Sequence, residues 1–144
     1  MILIHYFNYL FIALGGALGA VSRYLLSTWI YNRNLQVLPY GTLVVNILGC
    51  FLLGVFNTLA VENNVIPPHI RMMISIGFLG SFTTFSTFSL ETFNIIKENN
   101  LPVAFINIGL SVFLGLLAIW MGTVLANFFS SLRERGDEIG EDYR

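Results

Sequence analysis

Residues 77–91 read GFLGSFTTFSTFSLE, and the fold turns on what such a stretch is doing inside an apolar segment. It lies in the third of four such segments, where a lipid-facing helix would be built from Leu, Val and Ile. Instead Ser81, Thr83, Thr84, Ser86, Thr87 and Ser89 are threaded between Phe82, Phe85 and Phe88. Hydroxyls at that density gain nothing in lipid unless they meet another helix, water or a passing solute. Gly77 and Gly80 add two residues that cost helix propensity.

Composition sets the surroundings of this stretch. The chain has 144 residues, 56% of them hydrophobic and 10% charged, with a mean hydropathy of +0.75. A soluble domain carries roughly a quarter charged residues, so an all-α integral membrane protein is expected. At about 20 residues per crossing, four transmembrane helices use nearly the whole length, near residues 10–30, 40–61, 70–97 and 103–129. They form one transmembrane domain over 1–130, followed by an exposed polar tail over 131–144. No room is left for a soluble catalytic domain, and no nucleophile–base pair, metal-ligand cluster or phosphate loop is present. A net charge of −1 gives no case for nucleic-acid binding. The lone Cys50 reads as a small packing residue.

The N-terminal MILIHYFNY lacks the positive region of a secretory signal and reads as the start of the first helix, with His5, Tyr6 and Tyr9 suited to a membrane interface. Gly15, Gly16, Gly19 and Ala20 follow, small residues about four apart that let two backbones approach. Arg23 lies inside this first span. It either snorkels to the headgroups or attracts anions at the mouth of a water-filled vestibule. In the second span Asn46 is the one strongly polar interior residue, and its amide needs a helix or a solute as partner. The third segment is longer than one crossing requires. A break at Gly80-Ser81 would use the excess, and such breaks persist only where the freed backbone groups line a cavity or hold an ion. Phe85 and Phe88, three apart, share a helix face. They serve as core packing or turn positive ring edges toward a small anion. Glu91, one turn on, is expected to be solvated or paired at a vestibule. In the fourth span Asn107 and Ser111 are four apart and are candidates for the same track.

Orientation is balanced. Arg71, Arg133, Arg135 and Arg144 fall on the side of the termini, and Arg33, Lys97 and the leaning Arg23 on the other, four against three. The positive-inside rule needs an excess to fix topology. Without one, the chain suits insertion both ways and an antiparallel homodimer.

At the level of motifs, GGALGAVSRY, GTLVVNILGCFLLG and GFLGSFTTFSTFSLET resemble the Fluc or CrcB family of small bacterial fluoride channels, over about Gly15 to Asn127. The resemblance implies an antiparallel, dual-topology homodimer in the bacterial inner membrane with two fluoride pathways. It implies that Phe85 and Phe88 present ring edges to fluoride and that Asn46 donates its amide in the pore. Ser86 and Thr87, with Thr83 and Thr84, would supply hydroxyls, and Ser111 would be the fourth-helix contact. Arg23 matches the family's vestibule arginine. Carbonyls at Gly80 and Ser81 would hold a structural Na+ at the dimer centre. The expected function is passive fluoride export. The alternatives are a proton-coupled exporter, for which Glu91, near a segment end, is the only carboxylate within a span, and a non-transporting membrane scaffold.

Overall fold

The computed structural model describes residues 2–33, 38–62 and 66–142, with side chains over 7–33, 38–60 and 66–133. His5 and Tyr6 lie outside the described side chains. The described residues form helices joined by short links, with no strand among them. Helix α1 covers Ile2–Tyr31 and α2 Tyr40–Glu62. The third crossing is built from α3 (Pro68–Met72), a π-helical segment (Met73–Leu79), α4 (Gly80–Phe82) and α5 (Phe85–Lys97). Helix α6 runs Leu101–Asp142, so the helix expected to end near 129 continues through most of the polar tail. Four stretches are long and apolar enough to cross a membrane: Phe7–Tyr31, Tyr40–Ala60, Pro68–Lys97 and Leu101–Arg133.

Local chemistry sets the boundaries. Pro68 occupies the first turn of α3, where a missing N–H costs nothing, and the Pro67 carbonyl receives the Ile70 and Arg71 amides at 3.0 and 3.1 Å. Helix α5 ends in a left-handed Asn99 (φ 58°). The Asn100 amide reaches back to Ile95 O at 3.2 Å and Asn99 to Ile96 O at 3.0 Å, a Schellman closure. The chain therefore reverses within three residues and sends α6 back antiparallel to α5.

Packing relies on close backbone approach. A Cβ at Gly15 would strike Met73 O, one at Gly19 would strike Phe78 O, and one at Gly77 would lie 2.6 Å from Ile12 O. The small-residue face of α1 thus seats the π-helical segment, as the spacing suggested. Gly54 against the Ile119 carbonyl and Gly122 against the Phe51 carbonyl seat α6 on α2 in the same way. Between apolar helices in lipid such contact is the main source of association, because lipid tails are as apolar as Leu. The outer surface matches that solvent: Leu18, Phe113, Leu116 and Trp120 are each more than 60% exposed.

The position of the interruption in the third crossing corrects one expectation. Gly80 is helical (φ −65°, ψ −32°), and Gly80-Ser81 do not break the helix. The backbone becomes extended at Thr83 (φ −79°, ψ 154°) and Thr84 (φ −150°, ψ 113°). Glycine permits a break without imposing one. Two β-branched threonines favour extended backbone, and a side chain on α2 holds them there.

Candidate functional site

That side chain is Asn46. Its Nδ2 donates to Thr84 O at 3.2 Å, and its Oδ1 accepts the Thr84 N–H at 2.8 Å. An amide donor and acceptor on one carbon match the donor and acceptor of one extended residue. A continuous helix would have directed the Thr84 N–H to the Gly80 carbonyl, so the clasp removes that carbonyl's helical donor. Thr83 Oγ1 and N both donate to Leu79 O at 3.0 Å. Thr84 then caps α5, its Oγ1 accepting the Thr87 N–H at 3.2 Å, and shares further contacts with Thr87 Oγ1 at 3.0 Å and Ser86 Oγ at 3.2 Å.

Two cavities meet at Thr84. The first, of about 330 Å³, is lined by Asn46, Thr83, Thr84, Phe85, Phe88 and Ser111, together with Gly80, Ser75 and Cys50 among others. Among the described residues, no Lys or Arg lines it. The Phe85 and Phe88 rings are 5.7 Å apart, tilted by 46°, and Phe85 is 79% exposed. A tilted pair presents ring edge as well as ring face, and the edge is the electropositive part. With hydroxyls and an amide nearby, the cavity offers weak donors to a small anion and no fixed positive charge to trap it.

The second cavity, of about 200 Å³, is lined by Arg23, Tyr31, Thr42, Thr84, Thr87 and Glu91, among others. Glu91 is paired, not free. Its Oε1 accepts from Tyr31 Oη at 2.7 Å and from Thr42 Oγ1 at 2.9 Å. Its buried Oε2 has no hydrogen-bond partner among the described residues. Arg23 faces a cavity shared with a carboxylate, an anion-attracting and an anion-repelling group around a space large enough for several waters.

The structure therefore brings Asn46, Thr83, Thr84, Phe85, Phe88, Ser111 and Gly80 to one cavity and Arg23, Thr84 and Thr87 to the other. Ser86 touches Thr84 but lines neither cavity, and Ser81 lies beside Gly16 instead, with its Oγ 3.3 Å from where a Cβ there would stand. Asn107 also lines neither. It is 1% exposed and bonds Thr92, so it does not share the track of Ser111. Sequence reading missed Ser75, which the π-helical turn carries to the first cavity. It also missed Tyr31 and Thr42, ordinary helix-end residues until Glu91 is seen between them. A lone carboxylate in an apolar segment was the available signal, since it must find donors.

Comparison with known proteins supplies the context for this arrangement. Residues 10–123 match a family model described as CrcB-like protein, Camphor Resistance (CrcB). A protein of Acidobacterium capsulatum named Fluoride-specific ion channel FluC is 44% identical over 120 residues, covering 83% of this chain and 96% of that protein. A protein of the same name from Geobacter sp. (strain M21) is 47% identical over 116 residues, covering 81% and 94%. Another from Flavobacterium psychrophilum is 44% identical over 117 residues, covering 81% and 94%. With four apolar crossings and matches spanning most of its length, this multi-pass membrane protein belongs to the CrcB-like family.

Proposed function

We propose that the protein is a fluoride-selective channel that lets fluoride leave the cell passively, down its electrochemical gradient and without enzyme chemistry. The observation that carries this reading is the first cavity: a tilted Phe85–Phe88 pair, an amide and several hydroxyls around a space that no basic side chain among the described residues lines. Fluoride is small and strongly hydrated, so a conduction path must replace water with donors at each step. It must also hold the ion weakly enough to release it. Thr84, shared by the two cavities, is the natural link from the cavity at Arg23 to the one at the rings. The names of the relatives agree with this assignment.

The working unit is an antiparallel homodimer in the bacterial inner membrane. Two features support it: the balanced charge of the two sides, and an open cavity whose principal ring, Phe85, is 79% exposed. Hydroxyls and a ring pair exposed on one face of a single chain need a cover other than lipid. A structural Na+ is part of the same proposal. Gly80, exposed and deprived of its helical donor at Thr84, and Ser81 on the short α4 would hold it through backbone carbonyls. The bound cation would raise the local potential without binding the anion directly.

Purified protein in liposomes tests the assignment. Fluoride efflux that starts when a potassium ionophore relieves the charge imbalance, and that persists with the pH gradient collapsed, identifies a channel. The unpartnered Glu91 Oε2 is the feature that speaks for a proton-coupled exporter, and efflux that stops when the gradient is collapsed would favour that reading.

A further inference from the structure

Among the described residues, Thr92 and Asn107 are the two polar side chains buried between α5 and α6, 6% and 1% exposed. Asn107 Nδ2 donates to Thr92 Oγ1 at 2.8 Å, and that hydroxyl donates onward to Phe88 O at 2.7 Å. We infer that Thr92 and Asn107 are a positioning pair that sets the register of α6 on α5 and so holds Phe88 across the first cavity from Ser111, an inference that rests on the fluoride-channel reading.

Spacing along the two helices links the pair to the cavity. In an antiparallel pair, a turn back along α5 corresponds to a turn forward along α6. Thr92 minus four is Phe88, and Asn107 plus four is Ser111. A contact between Thr92 and Asn107 therefore brings Phe88 and Ser111 to one level, and both line the first cavity. Apolar contacts alone specify this register weakly, because α6 is rich in interchangeable Leu, Ile, Val and Phe. The amide specifies it strongly. A slip of one residue would leave a buried Asn without its partner in a medium with no water to replace it. The hydroxyl relay also ties the amide to the backbone turn that carries the Phe88 ring.

The test uses the full-length protein in liposomes, reading fluoride efflux and the fluoride-to-chloride permeability ratio. Thr92→Val keeps the shape and removes the relay, whereas Thr92→Ser keeps the hydroxyl. Thr92→Val is expected to lower efflux or the permeability ratio at least about fivefold, while Thr92→Ser stays within about twofold of wild type. Asn107→Ala should match Thr92→Val, and the double variant should fall no further than either single change, because both break one contact. Fluorine NMR of 4-fluorophenylalanine at position 88 gives a readout independent of flux. The ring resonance should be unchanged by Thr92→Ser and displaced or split by Thr92→Val. Equal behaviour of Thr92→Val and Thr92→Ser in flux and spectrum would overturn the inference, as would losses that simply multiply in the double variant. If Thr92→Val does not fold, Asn107→Ala carries the same comparison against Thr92→Ser. If the wild-type protein passes no fluoride, the channel reading fails, and the spectra still decide the register.

Discussion

At the scale of single residues, side chains that look alike in the sequence do different work. Phe85 and Phe88 sit in the same run as Phe82, yet Phe82 is 6% exposed and stacks on Phe78 at 5.8 Å. It is core, and the other two line a cavity. Replacing Phe85 or Phe88 by Ile keeps apolar bulk but removes the electropositive ring edge. Fluoride efflux from liposomes should fall about tenfold or more for each, the rate equivalent of roughly 1.4 kcal/mol. The same change at Phe82 should instead lower thermal stability in detergent. Asn46 has two roles, holding Thr84 and lining the cavity. Asn46→Asp keeps the acceptor for the Thr84 N–H but loses the donor and places a negative charge on an anion path, so efflux should be abolished. Glu91 offers a cleaner separation of charge from bonding. Glu91→Gln retains an oxygen for Tyr31 and Thr42, whereas Glu91→Ala leaves the two hydroxyls only each other, 3.1 Å apart, so thermal denaturation should show Ala less stable than Gln by about 1 kcal/mol.

At the scale of elements, the glycines provide the sharpest contrast. A methyl at Gly15 or Gly19 meets a backbone carbonyl of the π-helical segment, while one at Gly109 meets nothing within 4 Å. Gly15→Ala and Gly19→Ala should destabilise the protein by about 1–3 kcal/mol through overpacking. Gly109→Ala should be neutral or stabilising by about 0.5–1 kcal/mol, because helix propensity improves without a clash. Melting in detergent measures all three. The four crossings and the small-residue face of α1 were legible in the sequence, because hydrophobicity and glycine spacing are local quantities. The site of the interruption was not. Glycine at position 80 advertised a break, but the break falls where Asn46, some 38 residues earlier in the chain, offers an amide to an extended threonine. The π-helical turn that carries Ser75 to the cavity is hidden for the same reason, since helical spacing in the sequence does not reveal an inserted residue. The tie from Asn107 to Thr92 likewise depends on tertiary register and not on any motif.

At the scale of the whole molecule, one chain exposes a polar, aromatic face that lipid would not solvate well, and its charges give neither orientation an advantage. The proposed antiparallel dimer would answer both facts. A C-terminal reporter that is active only on one side of the membrane should give signal in both orientations when two reporters of opposite requirement are compared. Signal from one orientation alone would remove the antiparallel arrangement and leave the cavities to be completed in some other way. The central claim is narrower: the cavity at Phe85, Phe88 and Asn46 conducts fluoride. Its most direct measurement is fluoride efflux from liposomes containing the purified protein, with chloride as the competing anion and the pH gradient collapsed. The expected result is rapid fluoride efflux, little chloride efflux, and loss of the fluoride signal in Phe85→Ile protein that still folds. Absence of wild-type efflux, or efflux undiminished by Phe85→Ile, would contradict it.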